Sequence, residues 1–358
     1  MDQSTRLFAS RMLTEHFSCI QHYMRDPLVE EIMVNGENRV WVIRCGQGMV
    51  HAAEVRITQD QILGIITLLA HLDGKRIKPG TRHCILDSQM EGFRFAAVLS
   101  PVSKPGHSLC IRKHSEFEKS IVQLTNAGLF DPVLSDGTGA AICPGFSEGR
   151  LQWGGAVWAD FFSWLVSNRR NIFLVGAPGC GKTTLLNALI QLVSPTERVI
   201  TIEDTREIRL KLPNYVSFEA SRSWDLSIQD LVVVSLRYRP SRLVVGEVRS
   251  IEAYEMLAAM NTGLSGCMAS FHANSAVEAL FRLERMAQGH PAFPGLSAFQ
   301  ADLARARPCI VHLCEGPDKV RRVTQVIEIN AFDAQEKQYG FKTLFNGYPA
   351  TGASSHVA

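Results

Sequence analysis

The residues with the clearest chemical promise lie at 175–184, which read V-G-A-P-G-C-G-K-T-T. Gly176, Gly181, Lys182 and Thr183 fill every fixed position of the spacing G-x-x-x-x-G-K-[ST]. Glycines let the backbone curl so that successive N–H groups converge on an anion. A lysine placed here reaches the outer phosphates of a nucleotide, and the hydroxyl that follows can ligate Mg²⁺. Gly176, Ala177, Pro178, Gly179, Cys180, Gly181, Lys182, Thr183 and Thr184 are therefore the expected nucleotide-binding stretch. The Cys180 thiol inside it would make the site sensitive to thiol reagents.

The flanks suit this chemistry. Residues 172–175 (I-F-L-V) form a short continuous apolar run, the pattern of a parallel strand buried on both faces. Leu185, Leu186, Leu189, Ile190 and Val193 recur at helical spacing over 183–193, and Pro195 ends the run. The loop thus delivers an anion to a helix N-terminus, where the helix dipole favours negative charge. Further strands are expected at 198–203, 243–246 and 267–272, and helices at 156–168, 228–238, 251–261 and 276–286. Such alternation implies an α/β domain, a mostly parallel sheet with helices on both faces. Towards the end the alternation stops, and 309–315 and 320–328 read as an antiparallel pair across 316–318.

In a sheet of this kind the carboxyl ends of the strands face the ligand. One end carries Glu203 and Asp204 with Glu207 beyond, a second carries Glu247, and a third carries His272. Carboxylates there can hold Mg²⁺ through its waters, so Thr183, Glu203, Asp204 and Glu207 are the expected metal set. A carboxylate beside the γ-phosphate can orient and deprotonate the attacking water, and Glu247 is the choice for that base. His272 would sense the γ-phosphate or link one strand end to another.

The rest of the chain supports a two-domain reading. It has 358 residues, 46% of them hydrophobic, and a formal net charge of +2. No dense Lys/Arg run is present, which weighs against direct nucleic-acid binding. Nine scattered cysteines form no C-x-x-C pair, so reduced thiols fit better than disulfides or a zinc module. No apolar leader pattern opens the chain. The longest mostly apolar stretch, 62–70, is too short to span a bilayer, so any membrane association would be peripheral. Residues 1–25 pattern as an amphipathic helix with Leu7, Phe8, Met12, Leu13, Phe17 and Ile20 on one face, turned to a core or to a membrane or partner. Strands are expected at 29–34, 39–43, 50–55, 92–99 and 108–112, with a helix at 62–72. The expected organisation is a small α+β domain over 1–114, a linker over 115–152, an α/β domain with the phosphate loop over 153–345 and a flexible tail over 346–358.

Four segments together carry a family resemblance. G-A-P-G-C-G-K-T at 176–183 is a Walker A, and T-I-E-D-T-R-E-I at 201–208 looks like an Asp box. L-V-V-G-E-V-R-S-I-E-A at 243–253 looks like a Walker B ending in Gly-Glu, and T-G-L-S-G-C-M-A-S-F-H-A-N-S at 262–275 looks like a His box. With V-E-E-I-M-V-N-G at 29–36 and S-L-C-I-R-K at 108–113, the chain resembles the secretion ATPase superfamily, closest to its type IV secretion and conjugal-transfer branch. Departures from the family pattern are Leu264 in place of a His-box histidine, Ser270 in place of threonine, and Ser241 in place of the aspartate before Walker B.

The resemblance implies a RecA-like P-loop NTPase domain preceded by a PAS-like domain, with ATP and Mg²⁺ as ligands. It implies a homo-hexameric ring at the cytoplasmic face of the inner membrane, energising pilus biogenesis or export of protein or nucleoprotein through secretion or pilus machinery subunits. Glu247 would be the catalytic glutamate, with Lys182, His272, Arg112, Arg94 and Arg237 completing the site. Arg112 and Arg94 would reach the phosphates from the first domain. A type IV pilus or type II secretion ATPase, a non-hydrolysing nucleotide-gated scaffold, and a DNA-translocating protein remain as alternatives.

Overall fold

The structure is a computed structural model and describes residues 15–90, 92–113, 119–131, 156–220, 225–316 and 318–346. Residues 1–14 of the expected first helix, most of the expected linker and the expected tail beyond 346 lie outside the described residues. The chain divides into two compact units, Met1–Phe117 and Glu118–Ala358.

The first unit is built from α1 (Gln21–Arg25), β1 (Val29–Val34), β2 (Val40–Arg44), β3 (Gly48–His51), α2 (Gln59–Leu72), β4 (Ile85–Met90), β5 (Phe93–Val98) and β6 (Ser108–Lys113). The strands form one antiparallel sheet in the order β3-β2-β1-β6-β5-β4. Thr58 and Gln61 cap α2 reciprocally, and Ile62, Ile65, Ile66 and Leu69 form its buried stripe. That stripe packs on Ile32, Val34, Phe95 and Ile111 from alternate positions of the sheet. Each such buried side chain contributes about 1.5–3 kcal/mol. Within 15–25 the expected single helix is interrupted by a turn over 17–20. Phe17 and Ile20 point into the sheet core, so this part of the amphipathic stripe faces the core.

The second unit holds α3 (Ile121–Asn126), α4 (Ala156–Ser167), β7 (Ile172–Gly176), α5 (Lys182–Ile190), β8 (Val199–Glu203), β9 (Tyr215–Glu219), α6 (Ile228–Ser235), β10 (Arg242–Val245), α7 (Glu252–Asn261), β11 (Met268–Phe271), α8 (Glu278–Ala287), α9 (Leu296–Ala306), β12 (Cys309–Glu315), β13 (Arg321–Asp333) and β14 (Gln338–Asn346). Helix α3 falls inside the stretch expected as linker. The sheet runs β14-β13-β12-β7-β11-β10-β8-β9. Neighbours from β9 to β12 are parallel, and β12, β13 and β14 pair antiparallel. Every residue of β7, β8, β10 and β11 is buried, as strands covered on both faces require. Helices α3, α4 and α5 pack on one face and α6 to α9 on the other, each over its own apolar core.

One polar anchor lies within this frame. Arg242 is fully buried at the start of β10 and forks onto Glu197, with Nε to Oε2 at 2.8 Å and Nη2 to Oε1 at 3.0 Å. Its Nη2 also donates to Val166 O at 2.6 Å, tying the end of α4 to the amino ends of the strands, opposite the phosphate loop.

Candidate functional site

The motif residues form a connected loop at the carboxyl end of β7. Gly179 and Gly181 take left-handed backbone, at φ +76° and +98°, which turns the chain back into the first turn of α5. A side chain at Gly179 would meet nothing within 4 Å, so its positive φ rather than crowding is what asks for glycine there. Gly176 is different. At φ +150° its missing Cβ would fall 2.1 Å from Leu313 O and 2.7 Å from Cys180 Sγ, so β12 and the loop close on it from two sides. Cys180 itself is buried, and burial raises its thiol pKa above the usual value. This corrects the expected sensitivity to thiol reagents, because a buried thiol kept protonated is a poor nucleophile.

Lys182 is buried, and its Nζ donates to Gly176 O at 3.0 Å and Ala177 O at 2.9 Å. A third contact, 3.1 Å long, runs to His272 Nδ1 at the end of β11. His272 Nδ1 also stands 3.0 Å from Gly176 O, and its Nε2 stands 2.9 Å from Glu247 Oε1, so the ring bridges the phosphate loop and the carboxylate. Glu247 Oε2 accepts from Arg249 Nη2 at 2.6 Å, and Arg249 Nη1 donates to Asp204 Oδ2 at 2.5 Å. The four parallel strands β7, β11, β10 and β8 are thereby joined across their carboxyl ends by one polar row: Lys182, His272, Glu247, Arg249, Asp204. Burial pushes the Glu247 pKa up, but the hydrogen bond and charge of Arg249, with the charges of His272 and Lys182, outweigh it and leave the pKa below the usual carboxylate value. Glu247 is ionised at neutral pH.

The expected metal set does not gather into one cage. Among the described residues, no group of three or more His, Cys, Asp or Glu side chains is placed to hold a metal ion. Glu203 is only 4% exposed, and its Oε1 accepts from Glu207 N and Ile208 N, both at 2.9 Å. Burial lifts its pKa to about 7, against the lowering effect of those two bonds. Glu203 therefore serves the backbone of its own turn. Thr183, in the first turn of α5, and the exposed Asp204 remain as oxygen donors around the loop, with the half-buried Glu207 beyond them. A hydroxyl with outlying carboxylates suits Mg²⁺, which keeps most of its waters.

Of the remaining arginines named above, Arg94 and Arg112 belong to the first unit and Arg237 to the second. Arg94 and Arg112 face each other across β5 and β6 in the first unit. Arg94 Nη2 pairs with Asp87 at 2.9 Å and Arg112 Nη2 with Glu31 at 2.5 Å. Arg237 is exposed in a short turn, Leu236–Tyr238, just before the amino end of β10, whereas the phosphate loop follows the carboxyl end of β7. Arg249 is the member of the row that spacing did not single out, although it stands in the Walker B-like segment two residues past Glu247. Among the described residues, no helix is long and apolar enough to cross a membrane.

A phosphate loop facing an ionised carboxylate and a histidine across parallel strand ends defines a nucleotide-binding α/β protein. Residues 151–313 match the family described as Type II/IV secretion system protein. The chain is 31% identical over 288 residues to the type IV secretion system protein PtlH homolog of Bordetella bronchiseptica, covering 77% of this chain and 82% of that one. It is 29% identical over 311 residues to a putative conjugal transfer protein of Mycobacterium tuberculosis, covering 83% and 79%. The ATPase DotB of Yersinia pseudotuberculosis shares the fold, with a TM-score of 0.56 at 14% identity over 88% of this chain and 78% of that one. The chain belongs to the type II/IV secretion system protein family.

Proposed function

We propose that the protein is an ATP-hydrolysing motor subunit of a type IV secretion or conjugal-transfer apparatus. The reading takes the second unit as a RecA-like domain and the first as a PAS-like domain. It takes the assembly as a homo-hexameric ring attached peripherally to inner-membrane machinery at the cytoplasmic face. The observation that carries it is the unbroken row from Lys182 to Asp204 along the mouth of the phosphate loop.

Each residue then has a task. Lys182 exchanges Gly176 O and Ala177 O for phosphate oxygens, since its donors already converge on the inside of the loop. The Thr183 hydroxyl would hold Mg²⁺, and Asp204 and Glu207 would accept hydrogen bonds from its waters. Bound Mg²⁺ neutralises charge on the phosphates. Glu247 takes the proton of the water that attacks the γ-phosphorus as the bond to the β–γ bridging oxygen breaks and ADP leaves, and His272 fixes one of the Glu247 oxygens. Arg94, Arg112 and Arg237 supply positive charge to the γ-phosphate when the ring brings the first unit or a neighbouring copy to the loop. On this reading Asp87 and Glu31 occupy Arg94 and Arg112 until then.

The test is the specific ATPase rate as a function of protein concentration. The rate per chain should climb as rings assemble and should vanish in Glu247→Gln and Lys182→Ala. An appreciable flat rate from a monomer would refute the ring-coupled mechanism. ATP binding with no turnover at any concentration would select the nucleotide-gated scaffold.

A further inference from the structure

Arg249 occupies the turn between β10 and α7, whose backbone is pinned on every side. Gly246 N donates to Ile202 O and Val248 N to Ser270 O, both at 2.8 Å. Arg249 N and Ser250 N both donate to Glu252 Oε1, at 2.6 and 2.9 Å. The main chain at Glu247 is therefore fixed. Its side chain lacks such a cage: it is 24% exposed, and the polar groups that hold its two oxygens are Arg249 and His272. The Arg249 side chain is itself 47% exposed and is turned by a second carboxylate, Asp204. Asp204 follows β8 and Glu247 follows β10, adjacent parallel strands in register at Ile202 and Val245. One planar fork thus bridges two strand ends.

We infer that Arg249 is the positioning residue of the hydrolytic site: braced by Asp204, it holds the Glu247 carboxylate toward His272 and the phosphate loop, ready for the water proton. This rests on the reading of Glu247 as the base. Ion pairs this exposed add little to folding stability, so orientation is the effect left for the bridge to have. A guanidinium can fork between two carboxylates, whereas an ammonium is a single compact charge and cannot keep that geometry. A misplacement of 1 Å at a reacting group can cost about a hundredfold in rate.

The experiment is steady-state ATP hydrolysis by the assembled full-length protein, with binding of a fluorescent ATP analogue and thermal melting as parallel readouts. Arg249→Ala should lower kcat by about 10- to 100-fold. KM and analogue affinity should stay within about twofold, because the bridge does not touch the bound phosphates in this reading. The melting temperature should move by no more than about 2 °C. Arg249→Lys should recover only part of the rate. The loss in Arg249→Ala combined with Asp204→Ala should fall short of the product of the single losses by about fivefold or more, because part of what Asp204 does passes through Arg249. Wild-type or raised kcat in Arg249→Ala, or multiplicative losses in the pair, would overturn the inference. Glu247→Gln separates the two levels. If it turns over like wild type, the reading of the site falls and the inference with it. If it is inactive while Arg249→Ala is unaffected, the inference alone falls.

Discussion

Replacing Glu203 by glutamine should stabilise the protein at pH 8 and leave it nearly unchanged at pH 4. Glu203 sits at the end of β8, 4% exposed, with one oxygen taken by two backbone N–H groups. Burial raises its pKa from 4.5 to about 7. A carboxyl whose folded pKa lies above its unfolded one contributes stability that is complete below the unfolded pKa and is lost as pH rises through the folded pKa. The loss therefore spans pH 4.5 to about 7. At 1.36 kcal/mol per pKa unit it reaches about 3 kcal/mol as a ceiling. Glutamine matches the protonated carboxyl in size and keeps the accepting oxygen, but it cannot ionise. Chemical denaturation of both proteins from pH 4 to 8 checks this, and the other carboxylates cancel in the difference. The advantage of Glu203→Gln should grow from near zero to about 3 kcal/mol. A flat or falling difference would mean that Glu203 is ionised in the folded protein and would return it to the metal candidates.

Three further outcomes follow from single contacts. Gly176→Ala puts a methyl 2.1 Å from Leu313 O at φ +150° and should cost on the order of 3 kcal/mol with loss of nucleotide binding, measured by denaturation and analogue fluorescence. Arg242→Ala removes the forked partner of the Glu197 carboxylate, 15% exposed, leaving it only the longer pair with Arg169 at 3.7 Å, and should cost about 3 kcal/mol in the same denaturation assay. In the native protein, exposed Cys45 should alkylate at least about tenfold faster than Cys180, whose thiol is buried and held protonated, and unfolding should remove the difference; equal native rates by peptide mapping would refute that burial.

Much of the second unit was legible because buried parallel strands are continuous apolar runs. β7, β8, β10 and β11 announced themselves that way, and the glycine spacing placed the phosphate loop between β7 and α5. The misses share a cause. β9, at the sheet edge, is half exposed, and β4, at the edge of the other sheet, mixes Leu86 with Asp87, Ser88 and Gln89, so neither carries a clean apolar period. Asp204 and Glu247 were found as strand-end acids, but their shared partner Arg249 depends on how a turn aims a side chain, which spacing does not encode. Glu203 reads in the sequence as a strand-end acid of the metal set, whereas the backbone after β8 folds back and claims its oxygen. Arg242 carries no signal in the sequence, since the groups that draw it inside, Glu197 and Val166, are both distant along the chain.

The place of β7 in the sheet has a consequence for synthesis. Both of its neighbours, β11 and β12, come later in the chain than β7 itself. As the polypeptide leaves the ribosome, the strand that carries the phosphate loop emerges with neither edge paired. It gains one edge only when Phe271 has been made and the other only when Leu313 has. At about 5–20 residues per second that exposure lasts several seconds, with a fully apolar strand open to wrong pairing. Nascent chains stalled before β12 should therefore be the ones that engage chaperones and protease, and the nucleotide pocket is among the last parts of the unit to close during translation.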